Sequence, residues 1–121
     1  MDVPKPSQAD RDRFHRLVPP DPRVQVKAMF GNLGAFVNGN MFMGLFGADI
    51  GLRLDPADAD RLRHAGGGPF GPGERPMGGY VALPAVLCDH PEQARPWVDL
   101  ALAHVAAQPP KKPRTRKPSG G

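Results

Sequence analysis

A turn signal between two apolar segments constrains the fold most strongly. Residues 33–37 and 41–45 are mostly apolar, and they flank Asn38-Gly39-Asn40. Asn-Gly favours a type I′ turn, because both central residues of that turn need positive φ angles. The segment therefore predicts a β-hairpin.

Segments of alternating polarity on either side extend this hairpin into a larger sheet. Residues 24–30 place an apolar side chain at every second position, which predicts a half-buried strand. A turn at 47–49 leads into residues 50–54, which alternate again. Four strands joined by short turns predict an antiparallel meander. Residues 80–83 predict a fifth strand.

Capping residues predict where two of the helices begin. Ser7 is the expected N-cap of the first helix, and Asp10 three residues later completes a weaker version of the capping box. The second helix starts at Asp55-Pro56, because Asp is a good N-cap and Pro suits the first helical position. Gly66 is expected to end it.

The last helix carries a proline in an awkward place. Apolar side chains recur at spacings of three and four within residues 91–108, which predicts an amphipathic helix. Pro96 lacks the N–H that a helix interior uses, so we expect the regular helix to begin near residues 93–95. The complete order, α-β-β-β-β-α-β-α, predicts an α+β fold with helices flanking an antiparallel sheet of about five strands.

Charge is concentrated at the C-terminal end. The chain has 16 basic and 12 acidic residues, and residues 109–121 hold five of the basic ones and no acid. The remainder is close to neutral, which argues against a uniformly basic nucleic-acid-binding domain. We expect a flexible N-terminus (1–6), one folded domain (7–108) and a disordered, Pro-rich basic tail (109–121).

The tail suggests weak contact with nucleic acid. Its cationic side chains can meet phosphates without sequence specificity, because it has no aromatic ring for base stacking. A solubilising end is the alternative. The candidate contacts are Lys111, Lys112, Arg114, Arg116 and Lys117.

Several function classes lack their signatures. The single cysteine excludes an internal disulfide framework and a multi-cysteine zinc site. No apolar run approaches the about 18 residues that a membrane-spanning helix needs. The first residues show no secretory signal, and we expect a cytoplasmic protein. Neither glycine-rich segment, 31–34 or 66–68, is predicted between a strand and a helix as a phosphate loop is.

One short segment combines groups that catalysis uses. Cys88-Asp89-His90 brings together a thiol, a carboxylate and an imidazole. Adjacent residues seldom present their side chains to one another, and packing is the plainer role for a free cysteine. The other histidines are isolated in the sequence. We therefore predict no catalytic, cofactor-binding or metal-binding residues.

The apolar hairpin also predicts a contact surface. Residues 40–46 show little polar alternation, and a strand that is apolar on both faces needs cover on both. Helices cover one face, and a partner subunit or a homodimer would cover the other. Core packing of the apolar residues, with an outward-facing arginine, is the alternative. The candidate interface residues are Met41, Phe42, Met43 and Arg53.

Several short motifs occur in an order typical of one family. Residues 29–42 (MFGNLGAFVNGNMF) contain Met-Phe-Gly, Gly-x-Phe-Val, a short turn with Gly, and Met-Phe. Residues 52–55 form a strand end with a basic residue before a helix, and residues 77–84 contain Met-x-x-Tyr followed by Pro. Over roughly residues 14–107 this pattern resembles the TfoX/Sxy N-terminal domain family.

The resemblance implies a five-stranded antiparallel sheet flanked by helices, and a regulatory role. The named, full-length members of the family regulate DNA-uptake competence and assist transcription with a cyclic-AMP receptor protein, and they carry a second, helical domain where this sequence has its tail. We expect a small non-catalytic regulatory protein that acts by protein contacts, with weak DNA contact through the tail. The alternative is a small-ligand-binding protein or enzyme that uses the cleft near residues 66–79.

Overall fold

Five antiparallel strands form one sheet, in the order in which they follow along the chain. The computed structural model describes residues 5–29, 32–71 and 78–109. The predicted meander and its fifth strand are confirmed. The strands are β1 (Gln25–Met29), β2 (Asn32–Val37), β3 (Asn40–Phe46), β4 (Asp49–Arg53) and β5 (Tyr80–Ala82).

Helices lie on one face of this sheet and confirm the α+β class. They are α1 (Gln8–Leu17), α2 (Pro56–His64), α3 (Ala85–Cys88) and α4 (Pro91–Ala106). The short helix α3 is absent from the sequence-based prediction, because four residues without a side-chain cap give no periodic signal. None of the helices in the described parts of the chain has the length and apolarity to cross a bilayer. The division of the chain at residues 6 and 109 stays a prediction.

The capping residues act as predicted. The Ser7 hydroxyl accepts the N–H of Asp10, and the Asp10 carboxylate accepts the N–H of Ser7. A carboxylate oxygen of Asp55 accepts the N–H of Asp58 at 2.8 Å. Both helices therefore start where the sequence places them, since each cap satisfies N–H groups that have no partner inside the helix.

The start of α4 corrects the prediction. The helix begins at Pro91, not near residues 93–95, and it continues through Pro96. Pro91 takes the first helical position, and the N–H groups of Gln93 and Ala94 donate to the carbonyl of His90. Pro96 lies in the second turn and removes only the hydrogen bond to the carbonyl of Glu92, an exposed residue.

The central hairpin has the predicted turn. Asn38 and Gly39 both have positive φ angles, 55° and 78°, as a type I′ turn requires. The Asn38 side-chain amide donates to the carbonyl of Ala106, and that of Asn40 donates to the carbonyl of Pro109. The hairpin tip therefore holds the chain at the end of α4.

A bulge in β3 turns two neighbouring side chains into the core. Ala35 pairs with Met43, but Phe36 pairs with Met41, so Phe42 is an extra residue on β3. Phe42 and Met43 both have 0 % of their surface exposed. The core lies between sheet and helices, and its largest fully buried side chains are Phe14, Leu17, Val37, Phe42, Met43, Ile50, Leu52, Leu62, Val81, Val98 and Val105.

The first strand differs from the prediction. Instead of being half-buried, β1 exposes the side chains of residues 25–28 on both faces. It is the end strand of the sheet, and the main helix contacts fall on the other four strands. Alternation along a strand shows which side chains share a face but not whether a helix reaches that strand. Phe30, which the pattern includes, lies outside the described residues.

Candidate binding surface on the distal face of the sheet

The sheet face opposite the helices is called the distal face below. Because Ile50 and Leu52 point into the core, their neighbours Gly51 and Arg53 point the other way. Two rows of cross-strand neighbours run across this face. One row is Gly34, Gly44, Gly51 and Ala82. The other has two parts, which are Gln25, Phe36 and Met41 on β1 to β3, and Arg53 and Tyr80 on β4 and β5.

The row of small residues forms a trough that one aromatic ring fills. Phe70 has only 2 % of its surface exposed. A Cβ atom placed on Gly51 would lie 2.3 Å from Cγ of Phe70, and one placed on Gly44 would lie 3.3 Å from its Cζ. Glycine is therefore required at position 51 by the close approach of the ring, not by an unusual φ angle.

The chain after α2 delivers this ring. Gly68 forms both hydrogen bonds of an isolated antiparallel bridge with Ala82, at 3.2 and 2.8 Å. Gly67 lies so close to β5 that a Cβ would be 2.7 Å from Cγ1 of Val81. The segment thus adheres to the edge of β5, and Phe70 reaches across to the distal face. Nothing in the sequence pattern showed where the Phe70 ring would lie.

Phe70 joins an aromatic cluster. Its ring centroid lies 6.3 Å from that of Phe46 in an edge-on arrangement, and 5.9 Å from that of Tyr80. The Tyr80 hydroxyl donates to the carbonyl of Met41 at 2.9 Å. Burial raises the pKa of Tyr80, and the nearby Arg53 guanidinium opposes that shift. This part of the distal face is therefore largely closed to water.

Beyond the cluster, the distal face remains partly open. Phe36, Met41 and Arg53 are half-buried, and Lys27 is exposed with its ammonium 5.2 Å from the centre of the Phe36 ring. We call Lys27, Phe36, Met41, Arg53 and Tyr80 the distal patch. It combines apolar surface with two cations, which suits a protein partner that presents apolar and acidic side chains.

A cavity of about 360 Å³ adjoins the same surface at the β5 side. Glycine backbone forms much of its wall, together with the side chains of Arg63, Pro69 and Tyr80. Arg63 donates to the carboxylate of Asp60 at 2.8 Å, so this carboxylate partly neutralises the charge of the guanidinium. The cleft expected near residues 66–79 therefore exists in part, although residues 72–77 lie outside the described chain.

The four candidate interface residues separate between the two faces. Met41 and Arg53 lie on the distal face, within the distal patch. Phe42 and Met43 point to the helices and are fully buried, because the bulge removes Phe42 from the alternation. An interface on the distal face stays a prediction, and of the four candidates only Met41 and Arg53 lie on that face. The candidate nucleic-acid contacts, Lys111, Lys112, Arg114, Arg116 and Lys117, lie outside the described residues.

The segment Cys88-Asp89-His90 does not assemble a reactive site. Cys88 is buried, and burial raises the pKa of its thiol. Asp89 pairs with Arg13 at 3.2 Å, and Nδ1 of His90 lies 2.7 Å from the carbonyl of Val86. Asp89 and His90 therefore have separate partners, and the Cys88 thiol is buried. Within the described ranges, no three or more His, Cys, Asp or Glu side chains come together as a metal site would require.

The comparison with family models identifies the class of domain. The sequence matches the TfoX N-terminal domain over residues 15–105, which is most of the chain. The protein therefore belongs to the TfoX N-terminal domain family, as its motifs suggested. That family is not a known enzyme family. The search of curated proteins finds no match.

Proposed function

We propose that this protein is a small non-catalytic regulatory protein, a transcription-associated accessory factor that acts through protein contacts. The observation that supports this most directly is the distal patch. Its half-buried Phe36 and Met41 are cross-strand neighbours, and Lys27 lies over the Phe36 ring. Arg53 lies on the same face, which the helices leave uncovered. Aromatic, Met and Arg side chains are the residues that protein interfaces favour. A role in competence is the specific form that the family suggests.

The cytoplasm is the setting of this proposal. Cys88 is a free thiol within the core, which fits a reducing compartment. The partner is either another protein or a second copy of the chain. Light scattering coupled to size-exclusion chromatography separates these two, because a homodimer doubles the mass at micromolar concentration.

A site-specific crosslinking experiment tests the patch. Phe36 is replaced by p-benzoylphenylalanine, and the same photoreactive residue is placed at the exposed Ala103 on α4 as the control. We expect a discrete crosslinked protein from position 36 only. Arg53→Glu in the same chain should reduce that band at least fivefold. Identical bands from both positions, or a band that ignores Arg53→Glu, would reject the patch as the binding surface.

The basic tail adds weak, non-specific DNA contact to this proposal. Five charges that all met phosphates would give a log–log salt slope of at most about −4.5. A gel shift compares the natural chain with one in which the five basic residues of the tail are changed to Gln. We expect the DNA affinity to fall and the salt slope to flatten. Equal affinities would remove the tail from the function.

The cavity beside β5 supports a second candidate, binding of a small ligand. The half-buried Tyr80 and the Arg63 guanidinium offer an apolar wall and one cation, which suits a small aromatic carboxylate. Titration with benzoate, followed by amide chemical shifts, tests this. We expect shifts at Gly67, Gly68 and Gly79 that Arg63→Ala abolishes. Shifts spread over the whole surface, or none at millimolar benzoate, would reject the candidate.

A further inference from the structure

The two edges of the sheet are finished differently. At the β5 edge, Gly68 forms a bridge with Ala82 and occupies the backbone groups there. At the other edge, β1 pairs with β2 on its inner side, and no strand within the described parts of the chain pairs with its outer side. An unpaired strand edge is a template for an added strand.

The side chains of β1 are free to meet such a strand. Val26 has 37 % of its surface exposed, although its cross-strand neighbour Ala35 is fully buried. Val26 and Ala28 face the helix side, where an apolar residue on an added strand would continue the core row. On the other face of β1, Gln25 and Lys27 are exposed.

The charge of this edge selects the partner. Lys27 is the only charged residue of β1. It lies over the ring of Phe36, and no salt bridge within the described chain involves it. A carboxylate directly opposite Lys27 would form a favourable cross-strand pair, whereas a second cation there would be repelled.

We propose that β1 accepts an extended acidic segment of a protein partner as a sixth, antiparallel strand. Its acidic residue lies opposite Lys27, and apolar residues on either side lie opposite Val26 and Ala28. This inference rests on the proposed function only because it takes the partner to be a protein. The binding site that it proposes is the edge of the sheet, whereas the proposed function places the contact on the distal patch.

Two other occupants fit this edge less well. A second copy that pairs antiparallel along all five residues of β1 would place Lys27 opposite Lys27. The protein's own tail carries the same sign of charge, and its four prolines between residues 109 and 118 lack the N–H groups that a strand donates. An acidic segment of another protein has neither defect.

Two synthetic peptides test the proposal on the full-length protein. The first is the capped heptapeptide Thr-Thr-Val-Glu-Val-Thr-Thr, and the second has Lys in place of its Glu. Binding is followed by amide chemical shifts and by hydrogen exchange. We expect the acidic peptide to shift and protect the amides of residues 25–29 and to bind about fivefold more tightly than the basic one.

Charge reversal supplies the matched controls. Lys27→Glu should invert the preference between the two peptides, whereas Lys5→Glu, an equal change of charge before α1, should leave it unchanged. Equal binding of both peptides, shifts confined to other elements, or no shift at millimolar peptide would overturn the proposal. Shifts in β1 with protein concentration alone would assign the edge to a second copy, and shifts with oligothymidylate alone would assign it to nucleic acid.

The outcome is distinguishable from that of the proposed function. If the crosslink from position 36 persists in Lys27→Glu and the peptides do not bind, the protein contact stands and the added strand is rejected. If the peptides bind as expected but no crosslink forms, the edge is the binding site and the distal patch is not.

Discussion

The two faces of the sheet are closed by different means. On the helix side, many side chains from β2, β3 and β4 interdigitate with α1, α2 and α4. On the distal side, the strands contribute glycines, and a single ring from the chain after α2 fills the space that they leave. The helix face is therefore a distributed core, whereas cover on the distal face is concentrated in one aromatic cluster around Phe70.

This difference separates stability from binding. The Phe70 ring covers the distal face near β4 and β5 and leaves the surface over β1 and β2 open. In this open region, the contact between Lys27 and Phe36 joins the exposed edge strand to the distal patch. A helix on that side would have buried both. The protein thus keeps a core on one side of the sheet and a partly open surface on the other.

The largest expected effect comes from breaking the helix face. Phe42→Ala removes a fully buried ring from the bulge of β3, and we expect it to lower the free energy of unfolding by about 3–5 kcal/mol. Urea denaturation followed by the fluorescence of the single Trp97 measures this. Val86→Ala, at an exposed residue of α3, is the control and should change the free energy by less than about 0.5 kcal/mol. A loss for Phe42→Ala as small as that of the control would contradict the distributed core.

On the distal face, Tyr80→Phe should lower the free energy of unfolding by less than Phe42→Ala does. It removes the hydrogen bond to the Met41 carbonyl while keeping the ring against Phe70, so we expect a loss of about 1 kcal/mol in the free energy of unfolding. The measurement is the same urea titration. A loss near zero would show that water replaces the hydroxyl, and that the cluster is more open than its geometry indicates.

The titration of Tyr80 reports on the burial of the same aromatic cluster. Burial raises its pKa, so the folded state holds the phenol proton more tightly than the unfolded state does. Its contribution to stability is therefore complete below the ordinary tyrosine pKa of about 10 and is lost as the pH rises above it. Because Tyr80 is the only tyrosine, phenolate absorbance reads its titration directly. Phe70→Ala should return the midpoint toward the ordinary value, and an unchanged midpoint would contradict the role of the ring.

The smallest effect is expected at the open edge. Val26→Thr keeps a β-branched side chain on a strand that is already exposed, so the free energy of unfolding should change by less than about 0.5 kcal/mol. Ala35→Thr, at its buried cross-strand neighbour, is the matched comparison and should cost several times more, because it adds a hydroxyl to the core. Equal losses at the two positions would show that β1 is covered.

The fold could be predicted from local signals because short sequence motifs specify the turns and helix caps of this chain. Asn38-Gly39 fixed the hairpin, and the caps Ser7 and Asp55 placed two helix starts correctly. The motifs of residues 29–42 also led to the right family. These features depend on the conformation of a few adjacent residues, which the sequence states directly.

The candidate site was less accessible, since it depends on contacts between distant residues. No local pattern shows that Phe70 lies over Gly51, or that helices stop short of β1. The bulge at Phe42 shifts the alternation by one residue, so Met41 and Phe42 point in the opposite sense to a regular strand. A row of glycines at matching positions of three paired strands was the one available signal of a ring above them.

Phe70 covers the part of the distal face near β4 and β5 by lying in the trough at Gly51. A double-mutant cycle of Gly51→Ala and Phe70→Ala, read by urea denaturation, tests it most directly. Gly51→Ala alone should destabilise the protein by about 1–3 kcal/mol, because its Cβ displaces the ring. In the Phe70→Ala background, Gly51→Ala should lower the free energy of unfolding by about 0.5 kcal/mol or less. The coupling energy between the two positions should therefore be at least about 0.5 kcal/mol. Additive losses would contradict the account.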